Sequence, residues 1–210
     1  MGGAVGNVSG PLLVIIAHHS RRGQAEALAG RVGADAVLTD YGSHGARWAH
    51  QQALLWATTR RERVWVLEDD ALAPHDFKER AAEWGQRFPT DLVSGYLGRK
   101  RPPQYQGLIR AKLAAADARG LDWITLPTLV HGVCYSLPAG ASGRVLRSLP
   151  RGAVDFAIGS AWGKPPVYTV PSLVDHADGP TVEKHPDGEK RKPGRTAWRP
   201  PEGVHYGYAG

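Results

Sequence analysis

Residues 63–71, Arg63-Val64-Trp65-Val66-Leu67-Glu68-Asp69-Asp70-Ala71, constrain this chain more than any other stretch. Four apolar residues, two of them valines and one a tryptophan, predict a buried strand, and three consecutive acids follow at its end. Unpaired carboxylates cannot stay ionised in a low-dielectric interior, so the acids must emerge at a sheet edge. In open α/β sheets that edge is where ligands bind. Three massed negative charges suit a hard divalent cation, Mg²⁺ or Mn²⁺, which takes oxygen ligands and bridges to substrate phosphates. A helix N-terminus is the competing reading, with Asp69 or Asp70 as its cap, and it accounts for one acid rather than three.

The residues on either side predict an α/β fold. Leu12 to Ala17 is a continuous apolar run of the kind found in a central parallel strand, and it delivers His18-His19-Ser20-Arg21-Arg22 to its C-terminal end. Gln24 to Val32 predicts a short helix and Ala36 to Asp40 a second strand, completing a βαβ unit. The Gly-x-Gly-x-x-Gly fingerprint of dinucleotide-binding folds does not occur in that unit. Tyr41 to Gly45 is a turn and Ala46 to Thr58 a helix leading into the Trp65 strand. Pro74 to Arg87 is a further helix, with Phe77, Ala81 and Trp84 on one face. Leu92 to Leu97 is expected as a strand, Leu108 to Arg119 as a helix, Trp123 to Leu126 and Val130 to Leu137 as strands, Ser142 to Leu149 and Asp155 to Trp162 as helices. Val167 to Val174 is the last expected strand, bent or placed at an edge by Pro171.

The 210 residues suffice for one core rather than two. We divide them into a flexible stretch over 1–10, a catalytic domain over 11–180 and a basic, Pro/Gly-rich segment over 181–210. No apolar run approaches the roughly 18 residues of a spanning helix, so no membrane span is expected. The N-terminus lacks the basic start of a signal peptide, and the single cysteine, Cys134, permits no internal disulfide. These features point to the cytoplasm. A formal net charge of +6 favours polyanionic partners, whether nucleic acid or a nucleotide diphosphate. Positive charge gathers in Arg99-Lys100-Arg101, followed by Tyr105, and between residues 184 and 199, where six Lys/Arg, among them Lys192 and Arg195, stand against two acids.

Gly42 to His50, the Val66-Leu67-Glu68-Asp69-Asp70-Ala71 signature, and Val133 to Leu137 followed by Asp155 together resemble the GT-A-fold glycosyltransferases. The similarity is to small phage and actinobacterial proteins of that type, and more distantly to the lipooligosaccharide and procollagen galactosyltransferase family. It covers roughly residues 11 to 180. Ala46 and Ala49 stand where that family usually has cysteine and serine. The resemblance implies an open twisted mixed sheet with flanking helices, its nucleotide-sugar half over about 11–97 and its acceptor half over about 98–180. It implies a divalent metal, Mn²⁺ or Mg²⁺, bridging the phosphates of a nucleotide-sugar donor, UDP-linked by preference. Asp70 becomes the principal metal ligand, His176 an additional one, and Glu68 or Asp69 neighbours of the ribose or of a coordinated water.

Other residues keep two readings. Asp155 is either the general base for an acceptor hydroxyl or a helix cap. His18 and Ser20 fall where base and ribose would lie, Asp40 could hold the ribose or the uracil edge, and Arg22 and Arg47 are phosphate candidates that could equally be solvated. His44 and His50 are structural histidines or site residues. Trp48, Trp56, Trp65 and Trp84 belong to the core by spacing, whereas Tyr96, Tyr105, Trp162 and Trp198 are candidates for stacking on sugar or base. Arg99, Lys100, Arg101, Tyr105, Trp162, Lys192 and Arg195 form the expected acceptor surface. The favoured acceptor is a hydroxymethylpyrimidine in phage DNA, flipped from the helix. A hydroxyl on a protein or cell-envelope glycan is the alternative, and a non-catalytic nucleic-acid-binding protein is the reading outside enzymes.

Overall fold

The computed structural model describes residues 10–177, 182 and 194–204. Nine strands and six helices follow in the order β1 Leu12–His18, α1 Arg22–Val32, β2 Ala36–Asp40, α2 Ala46–Ala57, β3 Val64–Glu68, β4 Ala71–Leu72, α3 Phe77–Arg87, β5 Val93–Ser94, α4 Pro103–Ala118, β6 Trp123–Thr125, β7 Cys134–Leu137, α5 Ser142–Arg147, α6 Val154–Trp162, β8 Val167–Thr169 and β9 Asp175–His176. Seven strands form one mixed sheet in the order β2-β1-β3-β7-β5-β8-β6, and β4 pairs with β9 in a second, two-stranded sheet. The expected α/β class, with helices flanking a single mixed sheet, is therefore what the chain adopts.

Strand β1 is central because its side chains are apolar on both faces. Leu13, Ile15 and Ala17 pack with Trp65 and Leu67 of β3, with Ala25, Leu28 and Val32 of α1, and with Phe77 and Ala81 of α3. Val14 and Ile16 face the other way, with Val64 and Val66 against Ala49, Ala53 and Leu54 of α2. Such two-sided burial is the condition for parallel strands, and β1 runs parallel to both β2 and β3. The chain steps from β1 to β2 over α1, then reverses across β1 to β3 over α2 on the opposite face. A reversal of this kind leaves a crevice beyond the carboxyl ends of the strands, and Glu68, Asp69 and Asp70 enter that crevice.

Strand β7 comes from the later part of the chain and inserts antiparallel between β3 and β5. One continuous sheet thus spans residues assigned from the sequence to donor and acceptor halves. Arg63 ties the base of β3 to its neighbours, donating to the carbonyls of Phe88 and Asp91 and to Ser136 Oγ. Burial pulls its pKa down to about 10, although Asp91 acts in the other direction.

Several boundaries differ from expectation. Helix α4 begins at Pro103, five residues before Leu108, because proline at the first helical position lacks only an N–H that would be unpaired there anyway. Val93–Ser94 is the only part of 92–97 in strand pairing, and β7 is confined to Cys134–Leu137. Strand β8 ends at Thr169, before the proline, and β4 and β9 are too short to show a period in the sequence. The expectation for residues 1–9 lies outside the described residues. Within the basic C-terminal segment, 194–204 packs onto the domain: Ala197 is fully buried and bridges Gly98, and Trp198 N donates to the Leu97 carbonyl.

Asp175 holds that segment in place. Its carboxylate, with no solvent exposure, accepts from the Ala197 N–H at 2.7 Å and from the His176 N–H at 2.8 Å. Replacing Asp175 with alanine strands those buried donors, so a loss of about 1–3 kcal/mol in urea denaturation and faster proteolysis within 194–204 are expected.

Candidate active-site cleft

A cleft of about 190 Å³ opens at the carboxyl ends of β1, β2 and β3 and is lined by His18, Arg21, Asp40, His50, Glu68, Asp69, Asp70, His176 and Arg195 among others. Its floor is the acidic run. His18 N donates to Asp69 Oδ2 at 2.8 Å, so the end of β1 and the residue after β3 are locked together. Arg21 reaches back from a 3-10 turn over His19–Arg21, its Nη1 donating to Asp69 Oδ1 at 3.0 Å and Asp70 Oδ2 at 2.6 Å. These three side chains are only 8–12% exposed. Burial pushes the Asp69 pKa up, opposed by the His18 N–H and by Arg21, while the Asp70 charge adds to the rise.

His176 arrives from the far end of the chain through the small sheet. Ala71 pairs with His176 across β4 and β9, and the Ala177 N–H donates to the Asp70 carbonyl. His176 Nε2 thereby stands 3.4 Å from Asp70 Oδ2. Two buried atoms at this point, Asp70 Oδ1 and His176 Nδ1, have no hydrogen-bond partner among the described residues. Among the described residues no three His, Cys, Asp or Glu side chains converge as a ready-made metal cage. A carboxylate and an imidazole are nevertheless a fitting protein contribution for Mg²⁺ or Mn²⁺, which keep waters and take the rest of their ligands from substrate phosphates.

Glu68 is held by a second network. His50 has no solvent exposure, and its Nε2 lies 3.1 Å from Glu68 Oε1 while Nδ1 lies 3.1 Å from the Tyr135 hydroxyl. An ionised carboxylate only accepts, so Nε2 carries the proton and Nδ1 accepts from Tyr135. Burial alone would raise the Glu68 pKa, and the His50 bond turns the shift downward. Gly132 is part of this arrangement: a Cβ there would sit 2.8 Å from Glu68 Oε1 and 2.9 Å from His50 Nε2. Beyond it, Tyr96 packs edge-on against His131 and donates to the Arg195 carbonyl at 3.4 Å.

Asp40 lines the cleft, but its oxygens are engaged. Oδ1 accepts from Gly42 N and His44 Nδ1, and Oδ2 from Gly45 N. Burial would raise its pKa, and these bonds hold it below the usual carboxylate range. It shapes the 42–45 turn, in which Gly45 takes φ 95, a left-handed value natural to glycine.

The other sequence candidates divide. Ser20 stands at the rim, its Oγ 2.7 Å from His18 Nδ1. Arg22 is not brought to the cleft; it pairs with Glu26 one helical turn along α1 on the exposed side. Arg47 is not either, since its guanidinium donates to the carbonyls of Leu149, Pro150 and Gly152. Asp155 does not line the cleft and does not cap α6 from the Ncap position. It lies in the first turn, half-buried, with Oδ1 accepting from Phe156 N. Burial raises its pKa, and the nearby charge of Glu68 adds to the rise. Trp162 is a core residue, 6% exposed under the Arg144 guanidinium, and Tyr105 packs on Phe156. Arg99 bonds Thr196 Oγ1 and the Thr196 carbonyl, so the Arg99-Lys100-Arg101 segment and the chain around Arg195 adjoin as one basic ridge. Lys192 lies outside the described residues.

Arg21 and His50 are the cleft-lining residues that sequence reasoning undervalued. Arg21 and Arg22 are adjacent, and only the 3-10 turn decides which guanidinium points back toward the acids. His50 sits at a helical position that looks like core spacing.

No protein-family model matches this chain, and no curated protein matches it. The fold and cleft define an α/β domain with an acidic, histidine-flanked crevice at the carboxyl edge of its parallel strands.

Two outcomes follow from this geometry. Gly132→Ala displaces Glu68 or His50, so ligand binding in the cleft falls while thermal stability drops by about 1–3 kcal/mol, measured by calorimetry. Burial lowers the His131 pKa from 6.5 to about 4, its contact with the Arg101 carbonyl opposing the change. The unfolded chain therefore binds more protons in that interval. The neutral-histidine contribution is complete above about 6.5 and is lost as pH falls toward about 4. Urea midpoints for His131→Gln are expected to fall less steeply with acid than those of the unaltered protein.

Proposed function

We propose that this protein is a metal-dependent glycosyltransferase that moves a sugar from a nucleotide diphosphate sugar, UDP-linked by preference, to a hydroxyl acceptor. The observation that carries this reading is the meeting of Asp70 and His176, each with a buried unsatisfied atom, at the carboxyl edge of β1 and β3. Parallel sheets bind nucleotides at this edge. Asp70 and His176 would hold Mn²⁺ or Mg²⁺, which when bound supplies positive charge against the diphosphate as it departs. Glu68, fixed by His50 in the cleft lining, would be the neighbour of the ribose or of a coordinated water. Arg195 adds a guanidinium whose planar fork suits phosphate oxygens.

Transfer breaks the bond between the sugar's anomeric carbon and the diphosphate oxygen and forms one to the acceptor oxygen. The acceptor's proton must go to a base. Asp155 does not line the cleft, so that base is one of the carboxylates that do, Glu68 among them. The ridge of Arg99, Lys100, Arg101 and Arg195 favours a polyanionic acceptor, and hydroxymethylpyrimidine-containing DNA is the acceptor we favour.

The test is release of nucleotide from a panel of nucleotide sugars with Mn²⁺, with and without hydroxymethylcytosine-containing duplex, read by mass on the DNA. Metal-dependent release stimulated by that DNA, with a covalent mass gain, is expected. Asp70→Ala is expected to lower transfer by on the order of a hundredfold or more. Turnover that ignores DNA moves the acceptor to a protein or glycan hydroxyl. No turnover and no metal-dependent nucleotide binding overturns the enzyme reading.

A further inference from the structure

Four carboxylates and two guanidinium groups line the cleft, and one of those guanidinium groups already occupies the acids. Arg21 Nη1 bonds both Asp69 and Asp70, and on Asp70 it uses Oδ2, the oxygen that also faces His176 Nε2. The side chain that would pair with a divalent cation is thus held by a cation belonging to the chain itself. Arg21 is 12% exposed and anchored on a 3-10 turn, so its position is built by the backbone and is not a chance surface contact. The oxygen it leaves alone, Asp70 Oδ1, is buried and unsatisfied.

We propose that Arg21 is the internal counter-cation of the cleft and competes with the divalent metal for Asp70. This rests on the metal-binding reading given above and goes further in assigning what Arg21 does to it. In the free protein the guanidinium stands between the two carboxylates and holds them together, which makes metal binding weak. A nucleoside diphosphate offers Arg21 another anion and so frees Asp70 for the metal. Metal and nucleotide then bind with positive coupling, each strengthening the other by the same factor, as linkage requires. The charge balance supports this order: with Arg21 drawn to phosphate, Asp69 and Asp70 face the cleft without a counter-charge until a cation enters.

The experiment measures Mn²⁺ binding by the electron paramagnetic resonance of the free ion, with and without UDP, for the unaltered chain, Arg21→Gln and Arg21→Lys. The unaltered chain is expected to bind Mn²⁺ weakly alone and tenfold or more tightly with UDP. Arg21→Gln is expected to bind Mn²⁺ at least tenfold more tightly without UDP and to lose most of the UDP effect. Arg21→Lys should lie between, because it keeps the positive charge on a shorter side chain that does not set it where Nη1 stands between the two acids. A second readout is thermal melting: Arg21→Gln should melt below the unaltered chain without metal and regain most of the difference on Mn²⁺ addition. If Arg21→Gln folds only with Mn²⁺ present, that itself is the expected dependence, and Arg21→Lys supplies the affinities. Mn²⁺ affinity in Arg21→Gln within twofold of the unaltered chain, or weaker, overturns the role of Arg21 while leaving the metal site standing. Absence of Mn²⁺ binding to every form, with or without UDP, overturns the metal-binding reading and this inference together.

Discussion

The structure depends on how it compensates negative charge at the end of a fully buried strand. Trp65 and Leu67 have no solvent exposure, and Asp69 and Asp70 follow within a few residues. Taking carboxylates out of water costs several kcal/mol each unless partners replace the water. Arg21, the His18 N–H and His50 are those partners, and each belongs to a different element. The ends of β1, β3 and α2 are therefore joined by electrostatics as well as by the core.

Topology explains why the partners are available. The chain leaves β1 for β2 over one face and returns across β1 to β3 over the other, so loops after three parallel strands converge on one edge. The antiparallel β7 then fills the space beside β3 and contributes Tyr135 beneath His50. The small β4/β9 sheet brings His176 over Asp70, and the buried Asp175 beside it fastens the 194–198 backbone against Leu97 and Arg99. Site and C-terminal segment are thereby built on the same carboxylate-bearing strand. The basic ridge beside the cleft is a consequence, because pairing of 98–99 with 196–197 sets Arg99 alongside Thr196, next to Arg195.

Much of the first half was legible in the sequence. The runs in β1 and β3 are dense in β-branched and apolar residues, and local pattern suffices for strands buried on both faces. The boundaries of β2 match the expectation from Ala36 to Asp40, and α1, α2 and α3 begin or end within a few residues of theirs. Local pattern was weaker after residue 92, where strands of two to four residues are too short to show alternation. The acids at the end of β3 were legible because three consecutive carboxylates after an apolar run have few structural uses. Asp70 and His176 stand together in the cleft, whereas Arg22, Arg47 and Trp162 went elsewhere. Each has a local competitor that sequence does not rank: Glu26 for Arg22, three backbone carbonyls for Arg47, and the core for Trp162.

By itself the sequence determined the strand and helix pattern of the first half, the charge of the chain, and the presence of a carboxylate cluster that must face solvent or a cation. Those properties follow from hydrophobic period and from the cost of burying charge, which act over a few residues. Only the tertiary structure decided that Arg21 rather than Arg22 holds the acids, that Asp40 is spent on its own turn, and that His50 and Gly132 fix Glu68. Such choices depend on directions of side chains separated by whole elements, and a backbone turn of three residues is enough to exchange one arginine for the next.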